Sequence, residues 1–363
     1  MTQLNDLPIR DDLRGRTPYG APQINVPVAL NVNENTHRIP EEVAVDIIKR
    51  IAAAVVTVNR YPERDFPQLR TALAKYLGRG ITPDQIWAAN GSNEVLQHIF
   101  QAFGGPGRTA LGFEPTYSMY KLIAQGTGTK YVSAPRADRY ELTPELVREA
   151  ILKHKPSIIM LCSPNNPTGT PLSLECIEAA YEATALAGQG IVVVDEAYAE
   201  FAHDTSVTAL NLLKGRPRLL VSRTMSKAFA FAGARVGYLA ADPAVVDALM
   251  LVRLPYHLSA FTQAAAEAAL DHSQVMLATV EDIKAQRDRI VAELNNLGLD
   301  AYRSDSNFVL FGGLKDSHQV FEALLEQGVL VRDIGIAGTL RVSAGTQAET
   351  TAFLSALRAV LGR

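Results

Sequence analysis

A lysine in an apolar stretch is the residue of this sequence that most directly suggests chemistry. Lys227 follows Met225 and Ser226 and precedes the segment AFAFAGARVGY. An amine in such surroundings is costly to keep charged. A neutral amine can form a Schiff base with the aldehyde of a cofactor, so Lys227 is a candidate nucleophile. The alternative is a solvated lysine at the end of a strand.

Two further polar positions follow runs of apolar residues. Asp195 comes directly after IVVV, and a carboxylate at the end of a buried strand needs a cationic partner or good hydrogen-bond donors. A protonated pyridine nitrogen is such a partner, and a helix N-cap or a magnesium ligand are alternative roles. Asn166 lies in NNPTG, whose proline and glycine are also typical of an ordinary turn. Its place after a strand favours an amide aimed at a ligand oxygen.

Groups that bind anions form a third set of candidates. The segment WAANGSNEVLQHIFQAF predicts a strand, a glycine turn and a helix, with Ser92 or Asn93 as the N-cap. Free N–H groups at a helix start attract an anion such as phosphate, although a capped helix without a ligand is the alternative. Arg235, Arg332 and Arg341 border short apolar runs. Each could bind a carboxylate or phosphate through two N–H groups, or form an ion pair on the surface.

Short apolar runs, several of them rich in Val and Ile, predict the strands that position these residues. They are Thr109–Phe113, Lys130–Ser133, Ser157–Cys162, Gly190–Val194, Arg218–Ser222 and Arg235–Ala240. Helical stretches such as SLECIEAAYEATALAG separate some of them, and this alternation predicts an α/β fold with a mostly parallel sheet between helices. Ligands gather beyond the carboxyl ends of such strands. We therefore expect EPTY, SPNNPTG, DEAY and RTMSKAF, which follow four of the runs, to converge on one site.

Length and composition limit the classes of protein to consider. A chain of 363 residues with 47% apolar residues allows two domains with substantial cores, and we place the boundary between them near residue 255. The net charge of −3 does not favour a nucleic-acid surface. The two cysteines, Cys162 and Cys176, imply no disulfide framework and fit a reducing, cytoplasmic compartment. We expect no secretory signal, no membrane span and no metal site.

Together these motifs resemble the fold-type I, pyridoxal 5′-phosphate-dependent aminotransferases, and among them the histidinol-phosphate aminotransferases of actinobacterial type. NPTG, DEAY and SKAF occur across the superfamily, whereas RTPYGAPQ, NRYPERD and VRLPYHLSA narrow the match. The resemblance implies an N-terminal arm (1–40) that packs with the small domain and a partner subunit. It also implies a large cofactor-binding domain (41–255) with a seven-stranded sheet, and a small α+β domain (256–363).

The resemblance implies a reaction and a set of residues that hold the cofactor. The reaction is a reversible amino transfer in histidine biosynthesis. L-Histidinol phosphate and 2-oxoglutarate are converted to imidazole-acetol phosphate and L-glutamate. Lys227 would bind the cofactor aldehyde and carry a proton between the substrate α-carbon and the cofactor carbon C4′. Asp195 would pair with the ring nitrogen, Asn166 and Tyr198 with the ring hydroxylate, and Tyr117 would stack on the ring. The residues expected around the cofactor phosphate are Ser92, Asn93, Thr224, Ser226 and Arg235.

The same resemblance implies how the two substrates share one site. Arg341 is the expected anion clamp, and Arg332 would assist at the substrate phosphate, because the arginine fork fits both carboxylate and phosphate. Tyr61 would reach the site from the other subunit of a homodimer. The full set of expected substrate-binding residues is Tyr19, Asn33, Tyr61, Asn166, Arg332 and Arg341.

Two other hypotheses remain open at this point. One is a different enzyme on the same scaffold, either an aromatic amino-acid aminotransferase or a threonine-phosphate decarboxylase. The other is a regulatory protein that binds the cofactor without turnover. Such regulators usually carry a DNA-binding domain ahead of the aminotransferase-like part, and here only a short arm without a basic patch precedes it.

Overall fold

The computed structural model describes residues 2–18 and 20–362. Its strands, in chain order, are β1 (Val28–Ala29), β2 (Ile86–Asn90), β3 (Thr109–Glu114), β4 (Lys130–Pro135), β5 (Ile158–Cys162), β6 (Ile191–Asp195), β7 (Leu219–Thr224), β8 (Val236–Ala240), β9 (Asp300–Ala301), β10 (Phe308–Gly312), β11 (Val329–Leu330) and β12 (Leu340–Ser343). The six runs predicted from the sequence correspond to β3 to β8, with ends that differ by one or two residues.

The helices follow the predicted apolar periodicity. They are α1 (Glu41–Val55), α2 (Pro67–Leu77), α3 (Ser92–Phe103), α4 (Met119–Gly126), α5 (Pro144–His154), α6 (Leu174–Ala187), α7 (Pro243–Met250), α8 (Ala260–Asp271), α9 (Ser273–Leu277), α10 (Thr279–Asn296), α11 (Ser317–Glu326) and α12 (Gln347–Leu361). In α3, for example, Val95, Leu96, Ile99 and Phe100 are fully buried on one face. The capping box of Thr346 and Glu349 starts α12.

A seven-stranded sheet in the order β2-β8-β7-β6-β5-β3-β4 forms the centre of the molecule. The pairs among β3 to β7 are parallel, and β8 runs antiparallel to both β7 and β2. Strands β5, β6 and β7 are buried along their whole length, as expected for a sheet covered on both faces. The predicted α/β class with a mostly parallel sheet is confirmed.

Strand register brings the predicted site motifs to one edge of this sheet. Cys162 at the end of β5 pairs with Asp195 at the end of β6, and Asp195 pairs with Ser222 in β7. The polar residues that follow these strands therefore leave the sheet side by side.

A second, smaller sheet in the order β12-β10-β9 belongs to a separate hydrophobic cluster. That cluster includes Leu30 from the N-terminal segment and most of its other residues lie between Val280 and Leu357. Strand β1 pairs in parallel with β11, so the N-terminal segment packs with the C-terminal part of the chain. The predicted boundary near residue 255 stays a prediction, and α8 just beyond it contributes Ala265 and Ala266 to the cluster of the large sheet.

Among the described helices, none combines the length and the apolar character needed to span a bilayer.

Candidate functional site

A cavity of about 910 Å³ lies where the carboxyl ends of the central strands meet the N-terminal segment and the C-terminal lobe. Most of the predicted site residues line it: Asn33, Ser92, Asn93, Tyr117, Asn166, Asp195, Tyr198, Thr224, Ser226, Lys227, Arg235, Arg332 and Arg341. Tyr61 is not among the lining residues, and Tyr19 lies outside the described residues. The four motifs that follow β3, β5, β6 and β7 thus reach the same cavity.

Lys227 extends into this cavity just after β7. Its Nζ donates a hydrogen bond to the backbone carbonyl of Val32 at 3.1 Å and lies 6.0 Å from the centre of the Tyr198 ring. Burial, together with the positive charges of Arg341 and Arg235, lowers the pKa of Lys227 to about 8, against the opposing effect of Glu34. About a tenth of an amine with this pKa is neutral at pH 7, far more than for an ordinary lysine, and the neutral form is the one that attacks a carbonyl carbon.

Asp195 ends β6 with its carboxylate buried beneath the cavity floor. Tyr120 donates from its hydroxyl to Asp195 Oδ2 at 2.8 Å, whereas Oδ1 has no hydrogen-bond partner among the described residues. Burial raises the pKa of Asp195 to about 6, and the hydrogen bond from Tyr120 opposes that rise. A carboxylate held this way is largely ionised at pH 7 and retains one oxygen for a cationic partner.

The start of α3 and Arg235 form an anion-binding corner of the cavity. The N-cap of α3 is Gly91, with φ of 82° and no side-chain cap, so the predicted N-cap at Ser92 or Asn93 is wrong. The physical reason is that the carbonyl of Gly91 already accepts hydrogen bonds from the N–H groups of Glu94 and Val95, so the helix begins at Ser92. Residue 91 is a glycine because a Cβ there would overlap the guanidinium of Arg235. Ser92 and Asn93 instead begin the helix, where their N–H groups can bind an anion.

The loop after β7 completes this corner. Arg235 Nη1 lies 3.5 Å from Ser226 Oγ, and Thr224 Oγ1 donates to the same Ser226 oxygen at 3.0 Å. No ion pair joins Arg235 to a described carboxylate, so its charge is available to a bound anion. The corner thus combines a cation, two hydroxyl groups and the start of a helix, which suits a phosphate.

Tyr198 and Asn33 form a buried pair on the opposite wall. Asn33 Nδ2 donates to the Tyr198 hydroxyl at 3.0 Å, and burial raises the pKa of this phenol above its usual value. Asn33 is itself held by Ser343, which accepts from its backbone N–H at 2.9 Å. Thr36 donates to Glu349 at 2.6 Å and so fastens the same segment to the start of α12.

Arg341 lies in β12 of the C-terminal lobe, and Arg332 lies beside it, two residues after β11. Their backbones exchange both hydrogen bonds at 2.9 Å, so the two side chains lie on the same face. Arg341 donates to Asn166 Oδ1 at 2.5 Å and to the carbonyl of Asn31 at 2.9 Å. No described carboxylate pairs with Arg332. Two adjacent like charges are unfavourable unless an anion lies between them, so this pair is suited to bind one.

Tyr117 stands beside the anion corner. Its hydroxyl donates to Asn93 Oδ1 at 3.1 Å, and its ring meets the Tyr120 ring edge-on with centroids 5.5 Å apart. The half-buried ring of Tyr117 therefore lines the cavity above Asp195 and offers a flat apolar face to a planar ligand.

Tyr61 lies on the outer surface of the chain, 80% exposed. Its ring stacks on Tyr256 with centroids 4.5 Å apart and an interplanar angle of 14°. The loop that carries Tyr61 is fixed by an ion pair between Asp65 and Arg253. Tyr61 thus lies outside the cavity of its own chain, with its ring packed on Tyr256.

A buried ionic cluster supports the ends of β6 and β7 from behind. Arg223 pairs with Glu196 at 2.7 Å and with Glu200 at 3.6 Å, and all three side chains are buried. Glu196 directly follows Asp195, and Arg223 directly precedes Thr224. The cluster therefore fixes the two strand ends from which Asp195 and Lys227 emerge.

Some functional groups were missed by sequence reasoning. Tyr120 was not singled out, because a tyrosine among apolar residues of a helix is typical of a core position. The carbonyls of Asn31 and Val32 carry no side-chain signal at all. Tyr120 lies three residues after Tyr117, but Tyr117 precedes α4, and no pattern in the sequence directs Tyr120 to Asp195. The described residues contain no group of three or more His, Cys, Asp or Glu that could hold a metal ion.

Comparison with known proteins gives consistent matches over the whole chain. The family model of the class I and II aminotransferases matches residues 26–357. The histidinol-phosphate aminotransferase of Paenarthrobacter aurescens is 62% identical over 361 residues, which cover 99% of this chain and 97% of that protein. The one from Frankia casuarinae is 59% identical, covering 97% and 89%. The crystal structure of histidinol-phosphate aminotransferase from Sinorhizobium meliloti in complex with pyridoxal 5′-phosphate has a TM-score of 0.83 at 26% identity, covering 93% of this chain and 91% of that one.

Proposed function

We propose that this chain, a member of the class I and II aminotransferases, exchanges an amino group between L-histidinol phosphate and 2-oxoglutarate. Within that family it belongs to the histidinol-phosphate aminotransferases. The products are imidazole-acetol phosphate and L-glutamate, in a step of histidine biosynthesis. The observation that carries the proposal is that Lys227, Asp195 and the arginine pair face one cavity in a chain so similar to enzymes of this name.

The residues of the cavity fit pyridoxal 5′-phosphate, the cofactor of this family. Asp195 Oδ1 is buried without a partner among the described residues and suits a protonated ring nitrogen. The corner at Gly91 and Arg235, where a Cβ would collide with the guanidinium, suits the phosphate. Lys227 supplies the amine for the aldehyde. When bound, the cofactor supplies a reactive aldehyde and a cationic ring that withdraws electrons.

We assign the remaining cofactor contacts by where the side chains lie. Ser92, Asn93, Thr224, Ser226 and Arg235 hold the phosphate. Asn166, which follows β5, and Tyr198, which follows β6, would bind the ring hydroxyl, and Tyr117 would cover a ring face. Asn33 orients Tyr198 through their 3.0 Å hydrogen bond.

Lys227 performs the proton transfer at the reacting carbon. With the cofactor bound, the neutral amine of Lys227 would take the proton from the substrate α-carbon. The pKa of about 8, lowered by burial, lets the same group give the proton back near neutral pH. Asp195 keeps the ring nitrogen charged throughout, which stabilises the negative charge that develops when the proton leaves.

Arg341 and Arg332 select the substrates. Glutamate and histidinol phosphate differ in the anion they present, a carboxylate or a phosphate, and an arginine fork accepts either. Because the two guanidinium groups share a face, Arg341 holds the anion nearest Asn166 and Arg332 assists at the phosphate.

A homodimer is part of this proposal. Large apolar side chains are exposed on two surfaces. One surface comprises α1 and the turn after it, with Val45, Ile48, Val55, Val56 and Val58. The other is the loop near Tyr256, with Leu251 and Leu254. The stack of Tyr61 on Tyr256 joins the two surfaces. A second copy of the chain would cover them and receive Tyr61 at its substrate phosphate.

Hybrid dimers test the shared site. A Lys227→Ala homodimer and a Tyr61→Ala homodimer should both be weakly active or inactive, and subunit exchange between them should restore activity. Restoration is expected because one site of the hybrid combines an intact Lys227 with an intact Tyr61 from the other subunit. No recovery in confirmed hybrids would place Tyr61 outside the partner's site.

The division of the chain and its location complete the proposal. We assign residues 1–40 to an arm, 41–255 to the large domain and 256–363 to the small domain. The pairing of β1 with β11 supports the packing of the arm with the small domain, whereas α8 packs with the cluster of the large sheet. A cytoplasmic location is supported by two cysteines that are both buried and free.

The activity test uses the purified protein with pyridoxal phosphate, histidinol phosphate and 2-oxoglutarate, and measures glutamate. Aromatic amino acids and threonine phosphate serve as competing substrates, and release of CO2 would identify a decarboxylase. The names of the curated relatives do not favour these alternatives. Absence of glutamate with histidinol phosphate as donor would refute the proposed reaction.

A further inference from the structure

Tyr120 lies beneath the cavity and does not line it, yet it contacts the residue on which the cofactor ring depends. It is the second residue of α4 and is fully buried. Its hydroxyl donates to Asp195 Oδ2 at 2.8 Å, which leaves Oδ1 as the oxygen without a partner among the described residues. One oxygen of the carboxylate is therefore held and the other is free to receive a ligand.

We propose that Tyr120 is a positioning residue that holds the Asp195 carboxylate ionised and oriented, so that the ring nitrogen of the bound cofactor stays protonated. This inference rests on one part of the proposed function, namely that pyridoxal phosphate binds with its ring nitrogen at Asp195.

The hydrogen bond acts on both the orientation and the charge of Asp195. A donor fixed on one carboxylate oxygen prevents the group from rotating, so Oδ1 keeps its direction. A donor also favours the charged form of the acid over the neutral form. Burial alone would push Asp195 toward the neutral form, in which it could not stabilise a cationic ring.

The surroundings keep Tyr120 in the donor role. The titratable groups near Asp195 are Tyr120 on α4, Cys162 on β5, Tyr198 and Glu196. Burial and the charge of Asp195 raise the pKa of Tyr120 well above its usual value and the pKa of the Cys162 thiol to about 12, so both stay protonated. Glu196 is paired with Arg223 at 2.7 Å.

Packing fixes the tyrosine in place. Its ring meets the ring of Tyr117 edge-on at 5.5 Å and an interplanar angle of 89°. The residue that covers the cofactor ring and the residue that orients its acid partner therefore support each other within one turn of chain. Loss of the hydroxyl alone, as in phenylalanine, leaves this ring contact intact.

The test compares Tyr120→Phe with a matched variant in the holoenzyme. Tyr238→Phe is the control, because Tyr238 is equally buried and its hydroxyl has no hydrogen-bond partner among the described residues. The probe is pyridoxal phosphate labelled with 15N in the ring, whose chemical shift reports protonation of the nitrogen. Cofactor affinity is measured in parallel, and neither readout requires turnover.

The hydrogen bond from Tyr120 stabilises the ionised form of Asp195. Its loss should change the ratio of ionised to neutral Asp195 by about tenfold or more. In Tyr120→Phe the 15N shift should therefore move toward the unprotonated value, and the Kd for the cofactor should rise about tenfold. Tyr238→Phe should match the wild type in both. Equal 15N shifts in Tyr120→Phe and the control would overturn the proposal.

The Asp195→Asn background shows whether Tyr120 acts through the acid. Asp195→Asn alone should give an unprotonated ring nitrogen, and adding Tyr120→Phe should change the shift no further. A further change would show that Tyr120 acts by another route, which overturns the proposal. If the wild-type ring is protonated but histidinol phosphate is not a substrate, the substrate assignment fails and the role of Tyr120 stands.

Discussion

Replacing Arg223 by methionine should cost this protein far more stability than removing an exposed arginine. The guanidinium of Arg223 lies 2.7 Å from Glu196 and 3.6 Å from Glu200. Without it, two buried carboxylates would face each other with no counter-charge. Methionine keeps much of the side-chain volume, so the change removes mainly charge and hydrogen bonds.

The size of the loss follows from these distances. At an effective dielectric constant of about 20, unit charges 2.7 Å and 3.6 Å apart attract by about 6 and 5 kcal/mol. Desolvation of the ions opposes this by several kcal/mol each, and breaking a buried pair by removing one partner costs about 3–5 kcal/mol in net stability. We expect a decrease of that size in the free energy of unfolding.

Arg216→Met is the matched control. Arg216 pairs with Glu178 at 2.9 Å, but the two side chains are 30% and 42% exposed. An exposed pair of this kind contributes at most about 1 kcal/mol. Urea unfolding of both variants at the same protein and cofactor concentrations compares the two losses directly.

Acid and charge compensation should both relieve the defect of Arg223→Met. Burial raises the pKa of Glu200, and Arg223 opposes that rise, so the variant should raise it further. A carboxyl whose pKa is raised on folding destabilises the protein above its unfolded pKa, so the deficit should shrink as the pH falls. Adding Glu196→Gln and Glu200→Gln should recover most of the stability. A loss no larger than that of Arg216→Met, or no recovery in the triple variant, would refute this account of the cluster.

Three further predictions concern the cavity. Lys227→Ala should fold normally but lose the absorbance band of the bound cofactor and amino transfer; turnover at the wild-type rate would remove Lys227 from the mechanism. Arg341→Lys keeps the charge but loses the two-pronged guanidinium that reaches Asn166 and Asn31. The kcat/KM for glutamate should therefore fall about 10–100-fold. An unchanged kcat/KM would show that the guanidinium geometry is not used. In the cofactor-free protein, the reaction of Lys227 with an aldehyde reagent should reach half its maximal rate near pH 8. The reason is that its surroundings lower the pKa of Lys227 to about 8, and the neutral amine prevails above that pH. A midpoint near the usual pKa of lysine would contradict this effect of burial.

Local sequence patterns were enough to predict the strands and the residues that follow them. Asp195 could be predicted because it comes directly after an apolar run, and Lys227 because it lies in an apolar stretch. Both signals are visible within a few adjacent residues of the sequence. The confirmed parallel order of β3 to β7 then brings their motifs together. The assigned roles of these residues stay predictions until they are tested.

Contacts between distant segments were out of reach of such patterns. Residue 91 has to be a glycine because Arg235, far along the chain, occupies the space where its Cβ would lie. The hydrogen bond from Tyr120 to Asp195 joins a helix to a strand end that the sequence does not place side by side. The same holds for Arg332 and Arg341, whose common face depends on the pairing of two strands.

Residues 31 and 32 of the N-terminal segment contribute to the site through their main chain, whereas Asn33 contributes its side chain. The carbonyl of Asn31 accepts from Arg341, and the carbonyl of Val32 accepts from Lys227. Every amino acid has such a carbonyl, so the side chain of Val32 can change during evolution while the course of the chain must not. Asn31 differs in that its buried side chain also donates to the carbonyl of Pro22. Substitutions at residue 32 should therefore be tolerated far better than a one-residue insertion or deletion, and a library of natural variants should show drift in composition there with no change in spacing.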